Sequence, residues 1–262
     1  MKKTLFLIIL ISILSTGTAL AKVVSQSIPY THDGVSLEGF LAHDDAVSGK
    51  VPGILVVHEW WGLNEYIRSR AEQLARMGYV AFAVDMYGRG KSTEHPDQAA
   101  AWMKTVNASM DQWLKRATAG LDVLTKQPQV DTARLAAIGY CFGGATVQVL
   151  AYGGADLKGV VSFHGSLIPP SIEQAKMTRA KILIGHGATD PMNTPEAMTA
   201  YVNAMNASSI DWQLIAYGGT RHSFTNPDAD KRGMAALAYS PAADRRSWQH
   251  MTFFFNELFS GM

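Results

Sequence analysis

The chain has 262 residues, 47% of them hydrophobic and 17% charged, with a formal net charge of +1. That apolar content supports a sizeable core and excludes a disordered chain, and a near-neutral charge with no basic stripe excludes a nucleic-acid surface. The one cysteine, Cys141, excludes a disulfide framework and a cysteine-based zinc site within the chain.

Residues 1–21 are expected to be a targeting segment. Met1-Lys2-Lys3 is a short basic start, Thr4 to Leu14 is almost continuously apolar, and Ala19-Leu20-Ala21 has the small-x-small form of a signal-peptidase site. The apolar run is short for a membrane span. No cysteine stands near the cleavage point to carry a lipid anchor. Loss of Lys2 and Lys3 takes the 23 basic residues to 21, against 22 acidic ones. The expected location is periplasmic or secreted, with no membrane anchor after cleavage.

Val23 to Ile28 and Val35 to Ala42 resemble two strands joined at the turn His32-Asp33-Gly34. Val51 to Val57 is a continuous apolar run, the pattern of a strand buried on both faces. Ile67, Ala71, Leu74 and Ala75 fall at helical spacing between Asn64, a cap, and Gly78, a stop. Tyr79 to Val84 is strand-like, and residues 97–126 carry interrupted helical patterns. Arg134 to Ile138 predicts a short strand and Ala145 to Tyr152 a helix. Gly159 to Phe163 and Lys181 to Gly185 predict two more strands, followed by a helix over Thr194 to Ala207 and a strand over Ile210 to Ala216. Ser240 to Phe259 closes the chain as a helix, with Pro241 in its first turn. This alternation predicts one α/β domain over residues 22–262, a mostly parallel central sheet with helices on both faces.

The chemistry-bearing residues follow the strands. Gly139-Tyr140-Cys141-Phe142-Gly143-Gly144 lies between a predicted strand and helix and has the form of a nucleophile elbow with cysteine in place of serine. The following helix would point its N-terminus at Cys141, which favours a thiolate. The other reading of Cys141 is a buried structural cysteine. An activated thiol needs a base held by a third group. Asp190 lies just past the strand 181–185 and His222 just past the strand 210–216. The order Cys141, Asp190, His222 is nucleophile, acid, base, as in the α/β-hydrolase arrangement. His58, His164 and His186 also follow apolar strands and are candidates for the pocket wall, His186 as a support for the Asp190 loop.

The run His58-Glu59-Trp60-Trp61-Gly62 closes the strand 51–57. Such a strand–helix loop supplies the second oxyanion donor, so the backbone N–H groups of Trp60 and Phe142 are the candidates. Glu59 can exchange a proton with Cys141 if buried, or be a solvated or arginine-paired strand-end residue. Arg89, in Asp85-Met86-Tyr87-Gly88-Arg89, can hold a substrate carboxylate, pair with Glu59, or be a plain surface residue. Trp61, Tyr140 and His164 complete the expected substrate-binding set.

Together these pieces resemble the dienelactone hydrolase family of the α/β-hydrolase superfamily. The resemblance rests on the His58–Gly62, Asp85–Arg89 and Gly139–Gly144 motifs, the Asp190 loop and His222-Ser223-Phe224. It implies a Cys–His–Asp triad, no metal and no organic cofactor. It also implies that Glu59 holds the resting thiol and swings away when substrate binds, and that the reaction opens the lactone ring of a dienelactone. Three features depart from the family pattern. Where its second substrate-binding arginine stands, this chain has Thr225-Asn226-Pro227, with Arg221 preceding His222 instead. The expected export signal is the second departure, and the bulk of Trp60-Trp61 the third. The expectation is a cysteine-dependent hydrolase of small esters or lactones, and the identity of the substrate stays open. The alternatives are an inactive ligand-binding protein of the same fold and a thiol-based redox or peptidase role; the lack of a resolving cysteine weighs against a redox cycle.

Overall fold

The computed structural model describes residues 22–260. The expected targeting segment lies outside the described residues. Among those described, no helix is long and apolar enough to cross a membrane.

Eight strands form one sheet: β1 (Val23–His32), β2 (Val35–Asp44), β3 (Val51–Val57), β4 (Val80–Val84), β5 (Val130–Tyr140), β6 (Gly159–Phe163), β7 (Lys181–Gly187) and β8 (Trp212–Tyr217). Their order is β1-β2-β4-β3-β5-β6-β7-β8. The β1–β2 and β2–β4 pairs are antiparallel, and every pair from β4 to β8 is parallel. The chain runs from β3 to β4 on one side and then places β5 on the other side of β3. That reversal makes the carboxyl ends of β3 and β5 a switch point, where an open α/β sheet forms its ligand crevice.

The helices are α1 (Glu65–Arg76), α2 (Pro96–Val106), α3 (Met110–Thr125), α4 (Phe142–Tyr152), α5 (Ile172–Met177), α6 (Pro195–Asn206) and α7 (Pro241–Phe259). Successive side chains of a strand point to opposite faces. Ile54 and Val56 of β3 therefore pack with Ile67 and Leu74 of α1 and Met251 and Phe255 of α7. Leu55 and Val57 pack on the opposite face with Ala117 and Leu124 of α3 and Val147 of α4. This two-sided burial explains the unbroken apolar run 51–57.

Several boundaries differ from the sequence expectation for identifiable reasons. The helical pattern over 97–126 divides because Ser109 caps a new helix, its side chain accepting from the Gln112 amide. Helix α5 was not anticipated; Ser171 and Gln174 start it with a reciprocal capping box. Strand β5 begins at Val130 because its first residues pair with Val51 and Pro52, before the register shifts at Pro52/Gly53. Helix α4 begins at Phe142, ahead of the apolar pattern, because the turn at Cys141 feeds directly into it.

Candidate active site

Cys141 stands between β5 and α4 with φ 53° and ψ −113°, a conformation that costs energy for any residue with a Cβ. Its amide donates to the Phe163 carbonyl at 3.0 Å and to Nδ1 of His164 at 3.1 Å. The flanking glycines permit the turn by close approach. A Cβ on Gly139 would strike the Gly143 carbonyl, and one on Gly143 would strike that of Val57. Of the four non-glycine residues with positive φ among those described, three are Cys141, His164 and Ser223. The backbone strain is thus concentrated at this crevice.

Asp190 and His222 meet in the same place. Nδ1 of His222 lies 2.7 Å from Oδ2 of Asp190, with both residues buried. The Asp190 loop is braced from two sides: the Met192 amide donates to Oδ1 at 2.8 Å, and Asn193 donates to the Gly165 carbonyl at 3.2 Å. The His222 loop is tied down by a hydrogen bond that the His222 backbone amide donates to the Ala236 carbonyl at 3.2 Å. Burial favours a protonated Asp190, but the hydrogen bond and charge of His222 and the Met192 amide outweigh it and hold the carboxyl below its usual range. Burial likewise opposes the imidazolium of His222. Negative charge at Cys141, together with the hydrogen bond to Asp190, reverses this and pushes His222 up to about 10. Nε2 of His222 is buried and closes no hydrogen bond of good geometry, although Cys141 is near enough to exert this influence.

Glu59 follows β3 and is 1% exposed. It does not bond to Cys141. Ser223 Oγ donates to its Oε1 at 2.7 Å, and Asn226 Nδ2 donates to its Oε2 at 2.6 Å. Burial raises its carboxyl, opposed by these two hydrogen bonds and by the charges of His222 and Arg232. His58 ties the two strand ends of the crevice together, since the Met86 amide donates to its Nε2 and its Nδ1 bonds the Glu59 carbonyl. Among the described residues, no acceptor engages the amides of Trp60 or Phe142. Phe142 is the first residue of α4, where an amide has no partner within the helix.

The four residues expected to contact substrate are engaged within the protein. Arg89 is exposed, and its Nε pairs with Glu38 Oε2 of β2 at 3.1 Å, not with Glu59 or the crevice. Tyr140 is fully buried and stacks on Phe163, because its position on β5 faces the α1–α7 side of the sheet. Trp61 is 1% exposed, with the Arg232 guanidinium 4.7 Å above its ring. His164 is fully buried; it accepts from the Cys141 amide and its Nε2 lies 2.6 Å from Thr225 Oγ1. Burial, then the charges of His222 and Arg70, hold it well below the usual histidine range. A neutral ring with a proton on Nε2 satisfies both contacts. His164 therefore braces the elbow.

Sequence reading missed the roles of Ser223, Thr225 and Asn226, which fasten Glu59 and His164. Their signal was present only as the polar run after His222. Tyr87 was also missed: its hydroxyl is buried without a partner, and its ring lies 5.8 Å from that of Phe142. Arg221 turns outward to the Ala235 carbonyl. A polar cavity of about 380 Å³, lined by Arg68, Arg232 and Asp228 among others, reaches the Glu59 clamp through Asn226.

A mostly parallel sheet with this strand order, and a tight positive-φ turn from β5 into α4, define an α/β-hydrolase fold. The model of the dienelactone hydrolase family matches residues 37–259, and the chain belongs to that family of hydrolases. A dienelactone hydrolase-like promiscuous phosphotriesterase from metagenomic libraries is 37% identical and superposes with a TM-score of 0.87, over 90% of this chain and 98% of the other. A solved structure designated m3DLH is 41% identical, also with a TM-score of 0.87, over 90% and 99% of the two chains. A probable 2-oxo-3-(5-oxofuran-2-ylidene)propanoate lactonase of Bradyrhizobium sp is 25% identical over 228 residues, 83% of this chain and 88% of the relative.

Proposed function

We propose that the protein hydrolyses small carboxylic esters or lactones through a thioester on Cys141. The observation that carries this reading is the buried His222–Asp190 pair at 2.7 Å, whose second ring nitrogen is unpartnered beside the strained cysteine. His222 Nε2 takes the thiol proton, and Sγ attacks the carbonyl carbon. The carbonyl electron pair moves to oxygen, and the amides of Trp60 and Phe142 are the donors assigned to stabilise it. Collapse of the tetrahedral intermediate expels the alkoxide, which takes the proton from His222. A water then gives its proton to His222 and attacks the thioester, releasing the acid and restoring the thiol as the proton returns to sulfur. Asp190 keeps the imidazole in one tautomer and stabilises its charged form.

The test is Cys141→Ala assayed on p-nitrophenyl esters, a lactone panel and a phosphotriester, the last because of the metagenomic relative's name. Loss of turnover by about 10⁴-fold or more is expected. Retained turnover overturns the scheme, and tight binding with no turnover by the unaltered protein favours a ligand-binding role instead.

A further inference from the structure

His164 directly follows β6, is fully buried with φ 41°, and takes no step in the triad scheme. All three segments that carry the triad converge on it. Its ring Nδ1 accepts from the Cys141 amide at 3.1 Å. Its own amide donates at 2.8 Å to the Gly185 carbonyl of β7, the strand that leads to Asp190. Its ring stands edge to face with that of His222, the centroids 5.2 Å apart and the planes at 67°. The remaining ring nitrogen, Nε2, lies 2.6 Å from Thr225 Oγ1. Because Nδ1 offers a lone pair to the Cys141 amide, the proton of the neutral ring sits on Nε2 and is donated to Thr225. Thr225 can then donate its own hydroxyl proton to Tyr66, whose Oη is 2.7 Å away. The Thr225 carbonyl is fixed by Arg70 Nη2 at 2.6 Å, and the same Nη2 bonds Asp244 of α7. Thr225 is therefore held in place from α1 and α7.

We propose that Thr225 and His164 are positioning residues for the triad: the Thr225 hydroxyl fixes His164 as the Nε2–H tautomer, and that ring holds the Cys141 backbone and the His222 imidazole in their mutual placement. This rests on the reading of Cys141, His222 and Asp190 as a triad. The other neutral tautomer would turn a proton, not a lone pair, toward the Cys141 amide and open the contact that supports the positive-φ turn. An imidazolium would do the same and set a second cation beside His222. Burial opposes a charge on the His164 ring, and so do the facing charges of His222 and Arg70. No bond forms or breaks at either residue. Their contribution is geometric, and misplacing a reacting group by about 1 Å costs on the order of 100-fold in rate.

The test compares ester kinetics of Thr225→Val, which keeps the shape and removes the hydroxyl, with Thr225→Ser, which keeps the hydroxyl. Thr225→Val is expected to lower kcat by about tenfold or more, with KM changed by less than about twofold. Thr225→Ser should bring kcat back to within about threefold of the wild type. His164→Phe fills the space without an acceptor and should lower kcat by about 100-fold. Adding Thr225→Val to His164→Phe should cost nothing further, the non-additivity expected of residues that act through one ring. Ring 15N spectra of the full chain labelled at histidine give a readout that packing damage does not move. They should show His164 neutral, with its proton on Nε2, at about pH 6.5. Wild-type kcat in Thr225→Val, a loss that Thr225→Ser leaves unrepaired, additive losses in the double variant, or a His164 proton on Nδ1 overturns the proposal. Where His164→Phe does not fold, the Thr225 pair and the spectra decide it. Failure of the triad reading appears separately, as ester turnover retained by Cys141→Ala.

Discussion

Two carboxylates flank His222, and the structure treats them in opposite ways. Asp190, in the loop after β7, and Glu59, in the loop after β3, are 4% and 1% exposed. Burial pushes both carboxyls up. At Asp190 a direct bond to a cationic ring reverses that push, so the group stays charged and can hold His222. At Glu59 the bonded partners are a neutral hydroxyl and a neutral amide, the cations stand farther off, and burial wins. What decides the task of a buried acid is the charge of the group that touches it. One of these acids is bonded to an imidazole, the other to a hydroxyl and a side-chain amide.

The largest effect is expected from Asp190→Asn. It keeps the shape of the pair and removes the charge. A loss of about 10⁴-fold in kcat/KM is expected, the scale seen when a triad acid becomes an amide and leaves the histidine in the wrong tautomer. The His222 imidazolium should also lose its proton at a lower pH than in the wild type, because the hydrogen bond and charge of Asp190 are among the causes that hold it up to about 10. The lowered carboxyl of Asp190 contributes stability that is present above the unfolded value near 3.9 and is lost as pH falls through the folded value. Thermal melts of the variant should therefore show less destabilisation by acid than those of the wild type. A variant with wild-type kcat/KM would put the two acids on the same footing and end the contrast.

Glu59→Gln should act with the opposite sign on stability. The carboxyl of Glu59 is raised, so the folded state holds its proton more tightly than the unfolded chain does. Stability from this group is present at acid pH and falls as pH rises from the unfolded value, about 4.3, through the raised folded one. Removing the charge should therefore change the melting point more favourably at about pH 8 than at about pH 4. Differential scanning calorimetry at the two pH values checks this. A lower melting point at pH 8 would mean that the Ser223 and Asn226 bonds outweigh the desolvation of the charge.

The comparison also shows what the sequence made legible. Cys141, Asp190 and His222 each follow an apolar run, and a parallel sheet gathers its strand ends, so chain order was enough to bring them together. The clamp on Glu59 was not legible, because it joins residues 164 and 167 positions apart through side-chain contacts no local pattern encodes. Tyr140 and His164 take their observed places for a geometric reason. A strand-end position fixes proximity to the crevice, while the face a side chain takes changes with every residue. Tyr140 points into the apolar layer with Phe163, and His164 turns at φ 41° to meet the Cys141 amide.

The smallest effect is expected at Arg89, which follows a strand end in the chain but turns away from the crevice. Its partner Glu38 lies on β2, ahead of the segment Phe40 to Ala42 that pairs antiparallel with Ala81 to Ala83 of β4. The backbone amide of Arg89 is also tied to that strand, at the Ser36 carbonyl. The guanidinium is 65% exposed, and an ion pair so placed is worth about 0–1 kcal/mol. Arg89→Ala should therefore leave the melting point nearly unchanged and shift kcat/KM for neutral esters by less than about twofold. The same result is expected with a carboxylate-bearing ester, because no charge at the crevice has been removed. A selective rise in KM for that anionic ester would show that Arg89 leaves Glu38 for the substrate.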